Sequence, residues 1–314
     1  MNNKSKIWLS SPHMSGNEMK YIQEAFDGNW IAPIGPNVDG FEKDLENYLG
    51  QESHVAVVST GTAALHLALA MLGVEKDDFV ICQSLTFAAS ANPIIYLGGI
   101  PVFVDSEKDT WNLCPNAVEE AIKSCIEKGK KPKAIITVCL YGMPYKVDEI
   151  KAISEKYNIP IIEDSAEALG STFKGQKCGT FGDISVLSFN GNKIITTSGG
   201  GALVLKEEIY KQKAVFLSTQ AKDDAPHYQH SIVGYNYRLS NICAGIGRGQ
   251  MEVIDQRVAE RRANHEFYKN IFKNHDGVQL FTEPSEEYQS NHWLNAIIIH
   301  PEKTGNKDRE FWRL

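Results

Sequence analysis

Between residues 54 and 205 the chain alternates two patterns, and that alternation narrows the folds open to it. HVAVVS, DFVICQ, IPVFVD, KAIITVCL and IPIIED are short, continuous apolar runs. AALHLALAML, PNAVEEAIKSCIEKG and VDEIKAISEKYN, interspersed among them, carry helical periodicity. A strand that is apolar on both faces needs cover on both. The pattern therefore predicts an α/β fold with a mostly parallel central sheet and helices on both sides. Two further strands, DISVLSF and GALVL, flank the stretch SFNGNKIITTSGGGALV. Upstream, SGNEMKYIQEAF opens with Ser15 and Glu18 at capping-box spacing and sets Met19, Ile22 and Phe26 on one helical face. A second helix carries Val38, Phe41, Leu45, Tyr48 and Leu49.

The character changes near residue 240. SNICAGIGRGQMEVIDQRVAERRANHEFYKNIF reads as one long helix, or as two joined at the glycines. VQLF and the strand-like HWLNAIIIHP follow, and the chain ends at TGNKDREFWRL. A strand needs partners and cover, so the expectation is a large α/β domain over 1–240 and a partial, apparently truncated α+β unit over 241–314.

Charge and cysteine content exclude several classes. With 32 Lys+Arg against 39 Asp+Glu the net charge is −7, and no basic block appears, which argues against nucleic acid as the partner. MNNKSKIWLSSPHM lacks an apolar signal core, and no run approaches the ~20 apolar residues of a membrane span, so a cytoplasmic protein without a membrane partner is expected. Cys82, Cys114, Cys125, Cys139, Cys178 and Cys243 are scattered without a Cys-x-x-Cys pair, and they read as reduced structural thiols rather than metal ligands.

Chemistry is expected where strands of an open sheet end. After HVAVVS the chain runs through Thr60, Gly61, Thr62 and Ala63 directly into a helix. Free amides at that helix start suit a phosphate, while Ser59, Thr60 or Thr62 acting as a plain cap is an equal reading. In IPIIEDSAEALG, Asp164 ends an apolar run and needs a cationic or hydrogen-bonding partner if buried. A protonated pyridine nitrogen is one such partner, and an N-cap or local salt bridge is the common alternative. Phe87, after DFVICQ, is placed to stack on a planar ring or to fill core. Lys193 lies among small residues near three glycines, with Ser188 five residues before it. It is no phosphate-loop lysine, because Ile194 and Ile195 follow it. Partial desolvation of such a lysine frees its amine for a Schiff base.

Together these parts compose one site: a phosphate cup, a ring stacker, an acid for a ring nitrogen and a Schiff-base lysine. The order and spacing of SPHMSGNEMKYI, NWIAPIGPNVDGFEKDL, STGTAALHLAL, EDSAEALGS, SFNGNKIITTSGGG and GYNYRLSNICAGIGRGQ resemble the DegT/DnrJ-type nucleotide-sugar aminotransferases of fold type I. The opening residues look most like the branch acting on UDP-4-keto-6-deoxy-N-acetylhexosamines. The resemblance implies pyridoxal 5′-phosphate on Lys193, which would also shuttle the proton. It implies Asp164 at the pyridinium nitrogen, Phe87 stacked on the ring, and Gly61, Thr62 and Ser188 at the phosphate. Glu167 stands where many relatives carry Gln or His near the ring hydroxyl. Asn236 and Arg238 would reach the neighbouring subunit's site, so a homodimer with shared active sites is expected. Glutamate would be the donor, in two ping-pong half-reactions. The alternatives are a truncated, non-catalytic cofactor-binding or regulatory relative and, more remotely, a Rossmann-type oxidoreductase. The latter lacks its glycine fingerprint here.

Overall fold

The computed structural model describes residues 8–50, 52–305, 307 and 309–312. The first seven residues of MNNKSKIW and part of the tail TGNKDREFWRL lie outside the described residues. In chain order come α1 (Glu18–Asp27), α2 (Pro36–Leu49), β1 (His54–Val58), α3 (Gly61–Met71), β2 (Phe79–Gln83), α4 (Asn92–Tyr96) and β3 (Ile100–Val104). Next are α5 (Pro115–Glu127), β4 (Ala134–Val138), α6 (Val147–Tyr157), β5 (Ile161–Asp164), β6 (Thr172–Phe173) and β7 (Gln176–Lys177). The lysine stretch lies between β8 (Ile184–Ser188) and β9 (Gly201–Leu205), and α7 (Glu208–Ser218) follows. The last elements are α8 (Asn241–Met251), α9 (Ile254–Phe272), β10 (Val278–Leu280), β11 (Tyr288–Gln289), β12 (Ile297–Ile299) and α10 (Arg309–Trp312).

Seven strands form one sheet in the order β1-β9-β8-β5-β4-β2-β3. All run the same way except β9, which is antiparallel to both β1 and β8. This is not the 3-2-1-4-5-6 order of a dinucleotide-binding sheet, so the oxidoreductase alternative fails on topology as well as on its missing fingerprint. The continuous apolar strands follow from cover on both faces. Val80 and Cys82 of β2 pack on the α3 and α7 side, while Ile81 between them packs with α5 and α6. Toward β1, the face opposite α3 is closed by Phe41 and Leu45 of α2 and Ala244 of α8. The edge strand β3 departs from the pattern, because its Phe103 is 56 % exposed. No helix among the described residues is long and apolar enough to cross a membrane.

Two readings of the helices change. In α1 the buried side chains are Glu18, Tyr21 and Ala25, whereas Met19 and Phe26 are exposed. The cause is α8. A Cβ on Gly245 would stand 3.2 Å from Tyr21 Cβ, and one on Gly249 2.8 Å from the Glu18 backbone nitrogen. The α8 backbone therefore comes close and brings Gln250, which donates to Glu18 Oε1 at 2.6 Å. Glu18 also accepts from the backbone N–H of Ser15 and Gly16, while Asn17 takes the N-cap position. Burial works against that carboxylate, but these bonds hold it down at about 2. The glycines of GIGRG thus serve close helix packing, and the break between α8 and α9 comes later, at Glu252 and Val253. The strand expected over HWLNAIIIHP is confined to Ile297–Ile299, paired with β10.

Candidate active site

The loops that follow β1, β2, β5 and β8 meet at one end of the sheet, around a cavity of about 380 Å³. Gly61, Thr62, Phe87, Asp164, Glu167, Ser188 and Lys193 all line it. Each side chain reaches it for a local reason.

At the start of α3, Thr60 is extended and its hydroxyl accepts from Ala63 N–H at 2.9 Å, so Thr60 is the cap. Gly61 and Thr62 are the first two helical residues, and their N–H groups lie beyond the reach of the helix's own carbonyls. Capping and anion binding thus coexist, on different residues. A Cβ on Gly61 would lie 3.0 Å from Ser188 Cβ, and one on Gly201 2.5 Å from the Gly61 nitrogen. The glycines are what let the β1–α3 turn, the end of β8 and the start of β9 close on one point.

Asp164, the last residue of β5, is 6 % exposed. Its Oδ2 accepts from Ser90 Oγ at 2.7 Å and its Oδ1 from Ala166 N–H at 3.2 Å. Burial pushes the carboxyl above its ordinary value, with the Ser90 bond opposing. Glu167 accepts from Lys193 Nζ on Oε1 at 3.2 Å and from Tyr141 N–H on Oε2 at 2.7 Å. Burial raises this carboxyl too, against the pull of the Lys193 charge. Tyr141 delivers its N–H from a left-handed conformation, φ 56°. On its other side the Lys193 ammonium faces the ring of Trp293, 4.2 Å from the centroid. Phe87 is 73 % exposed, at the cavity wall.

Asn236 and Arg238 do not join this group. Asn236 is exposed, its backbone bridged to Thr219. Arg238 makes its bonds within its own chain. Its guanidinium donates to Glu42 Oε1 at 2.6 Å and to the Val57 carbonyl at 3.0 Å, and it is committed inside its own chain. Three cavity partners were not singled out from the sequence: Ser90, the Tyr141 amide and Trp293. Ser90 closes the run QSLTFAAS over residues 83–90, but nothing in that run separates it from its neighbours; Trp293 lies 100 residues from the lysine it touches.

Among the described residues, two clusters carry metal-type donors, the buried Cys139–Glu163–Cys178 and the largely buried His265–Glu283–His292. Glu163 is already taken up by Ser165, Ser185 and the Gly179, Phe181 and Gly182 amides. The His265 and His292 rings stack at 3.6 Å and 4°, so their lone pairs lie in parallel planes and do not converge. All six cysteines are free, and burial pushes the Cys82 thiol up to about 12.

The family model described as the DegT/DnrJ/EryC1/StrS aminotransferase family matches residues 12–313. The chain is 52 % identical over 294 residues to "Putative pyridoxal phosphate-dependent aminotransferase EpsN" of Bacillus subtilis (strain 168), covering 94 % of this chain and 75 % of that protein. It is 38 % identical over 295 residues to the GDP-perosamine synthase of Escherichia coli O157:H7, covering 93 % and 78 %. Among solved structures, the PLP form of "Putative sugar aminotransferase Spr1654" from Streptococcus pneumoniae superposes with a TM-score of 0.86 at 27 % identity, covering 93 % of this chain and 78 % of that one.

Proposed function

The chain belongs to the DegT/DnrJ/EryC1/StrS aminotransferase family, and from that premise we propose that it moves an amino group, from glutamate, to the 4-keto carbon of a nucleotide-linked 6-deoxy sugar. It is a pyridoxal-phosphate-dependent sugar aminotransferase. The observation that carries the cofactor chemistry is the meeting of a helix start, a buried carboxyl and a lysine at one cavity, and the sugar reading is supported by relatives such as the GDP-perosamine synthase.

The residues present fit the cofactor. Gly61 and Thr62 amides with the Ser188 hydroxyl suit its phosphate. Asp164 has only one hydroxyl and one amide for its buried oxygens, and a protonated ring nitrogen supplies the missing charge. When bound, pyridoxal phosphate provides an electron sink for the carbon that exchanges its proton. Lys193 would hold the cofactor through Nζ and, when free, would carry that proton. Asp164 keeps the ring nitrogen protonated. Glu167, fixed by the Tyr141 amide, orients the lysine. Phe87 covers a ring face.

A homodimer accompanies this reading. Met19, Phe26, Trp30 and Ile31 leave an apolar face on α1 and the turn after it, which a second copy would cover. Asn236 is then the exposed residue that reaches the neighbour's cavity, while Arg238 fixes the segment from within. The large unit over 1–240 carries the cofactor, and the unit over 241–314 supplies Trp293.

The test is purified protein with pyridoxal phosphate, glutamate and, in parallel, UDP- and GDP-linked 4-keto-6-deoxy sugars, with products read by mass. An aminated sugar with one base and formation of 2-oxoglutarate are expected. Loss of glutamate's amine without an aminated sugar would overturn the sugar assignment and leave a donor half-reaction.

A further inference from the structure

Trp293 owes its place to a short turn that is held from several sides. Asn291 donates its backbone N–H to Ser171 Oγ at 2.9 Å and its side-chain amide to the carbonyls of Glu167 at 2.9 Å and Leu169 at 3.0 Å. Its Oδ1 accepts from Trp293 N–H at 2.9 Å. Gly142, at φ +92°, makes room, since a Cβ there would stand 1.9 Å from Asn291 Oδ1. His292 is held left-handed at φ 47°, with its Nε2 2.9 Å from Glu283 Oε1. Finally, Trp293 Nε1 donates to the carbonyl of Asn192, the residue beside the lysine, at 2.7 Å. Trp293 is 5 % exposed, with its backbone and indole N–H both bonded. A strained, over-determined turn of this kind marks a side chain whose aim matters.

That aim is the amine. Lys193 Nζ lies 4.2 Å from the Trp293 ring centroid and 3.2 Å from Glu167 Oε1. The charged groups facing it from the cavity walls are Glu167, on the segment after β5, and, further off, Asp164, the last residue of β5. A carboxylate attracts any donor, but an aromatic face discriminates by charge: it stabilises an ammonium and is nearly indifferent to a neutral amine. We infer that Trp293 is a positioning residue for Lys193, holding the ammonium opposite Glu167 whenever the lysine is not bonded to the cofactor. The inference rests on the aminotransferase reading. In that reaction the lysine is set free in each half-reaction and must return to the same place. The Trp293–Glu167 slot keeps it there and slows its premature return.

The experiment uses the whole chain freed of cofactor, mixed with pyridoxal phosphate, and follows the rate of the yellow Schiff-base band from pH 6 to 10. Only the neutral amine attacks, so the rate rises through the ammonium's ionisation. Trp293→Leu keeps water out but removes the π face. Its profile should move to lower pH by about half a unit to one unit, making attachment about three- to tenfold faster at neutral pH. Trp293→Phe keeps a face and should stay within a few tenths of a unit of wild type. Equal shifts for the two variants, or none in either, would overturn the inference and leave Trp293 a packing residue. If Trp293→Leu does not fold, Trp293→Met takes its place. A wild-type protein that forms no band removes the aminotransferase reading and the inference with it, an outcome distinct from a normal wild type whose variants do not differ.

Discussion

Replacing Ser90 with Ala should make cofactor binding sensitive to acid, and the structure sets the size of the effect. Ser90 is 1 % exposed and its hydroxyl donates to Asp164 Oδ2 at 2.7 Å. Apart from Ala166 N–H, it is the bond that holds this buried carboxyl in its charged form. A hydrogen bond to a charged group is worth about 1.5–3 kcal/mol net, which corresponds to a rise of about one to two pKa units on its removal. Burial already pushes Asp164 up, and losing the Ser90 bond pushes it further the same way. A neutral Asp164 no longer attracts a protonated ring nitrogen. The expected result is an affinity for pyridoxal phosphate about ten- to a hundredfold below wild type on the acid side, with the gap closing as pH rises and the carboxyl ionises in both proteins. Absorbance titrations at pH 6, 7 and 8.5 read it directly. Ser90→Thr, which keeps a hydroxyl, should fall between. A loss of affinity equal at every pH would refute the electrostatic reasoning and make Ser90 a packing residue; no loss would remove Ser90 from the site.

Three other changes follow from the same geometry. A carboxyl raised on folding, as Asp164 is, stabilises the fold below the ordinary 3.8 and loses that contribution as pH climbs through its folded value. Asp164→Asn should therefore make the cofactor-free protein more stable at pH 8 in urea melts while weakening cofactor binding; a less stable apo variant would contradict it. Gly142→Ala puts a methyl into a left-handed residue and onto Asn291, so a stability loss of about 1–3 kcal/mol is expected, together with loss of Trp293 fluorescence quenching by the cofactor. Arg238→Ala breaks a buried ion pair with Glu42 and should cost about 3 kcal/mol in urea melts with the Schiff-base band intact, since Lys211 still pairs with Glu42. A lost band with unchanged stability would return Arg238 to the active site.

How far the sequence carries depends on which physical signal each feature left in it. The parallel strands are legible because cover on both faces demands unbroken apolar runs, as in β2, β4 and β5. Strand direction leaves no such mark, so the reversal of β9 is not readable from GALVL. The face of α1 misleads for a concrete reason. Helix α8 offers glycines and Gln250 rather than apolar side chains, which draws Glu18 and Tyr21 inward and leaves Met19 outside. Around the cavity, the small residues beside Lys193 and the position of Asp164 at a strand end are local signals. Seven of the nine residues named from sequence surround the one cavity, the exceptions being Asn236 and Arg238. The contact of Arg238 with Glu42, 196 positions away, leaves no local mark in GYNYR. Trp293 is missed for the same reason, and because its neighbourhood of isoleucines reads as strand.

The measurement that bears most directly on the whole account is the fate of Lys193 in the presence of cofactor. Purified protein would be mixed with pyridoxal phosphate, its spectrum taken before and after glutamate, then reduced with borohydride and mapped by peptide mass. The account predicts a yellow band that bleaches with glutamate and, after reduction without glutamate, a pyridoxyl group on the peptide bearing Lys193, absent in Lys193→Ala. A band that persists in Lys193→Ala, or a label on any other lysine, would contradict it.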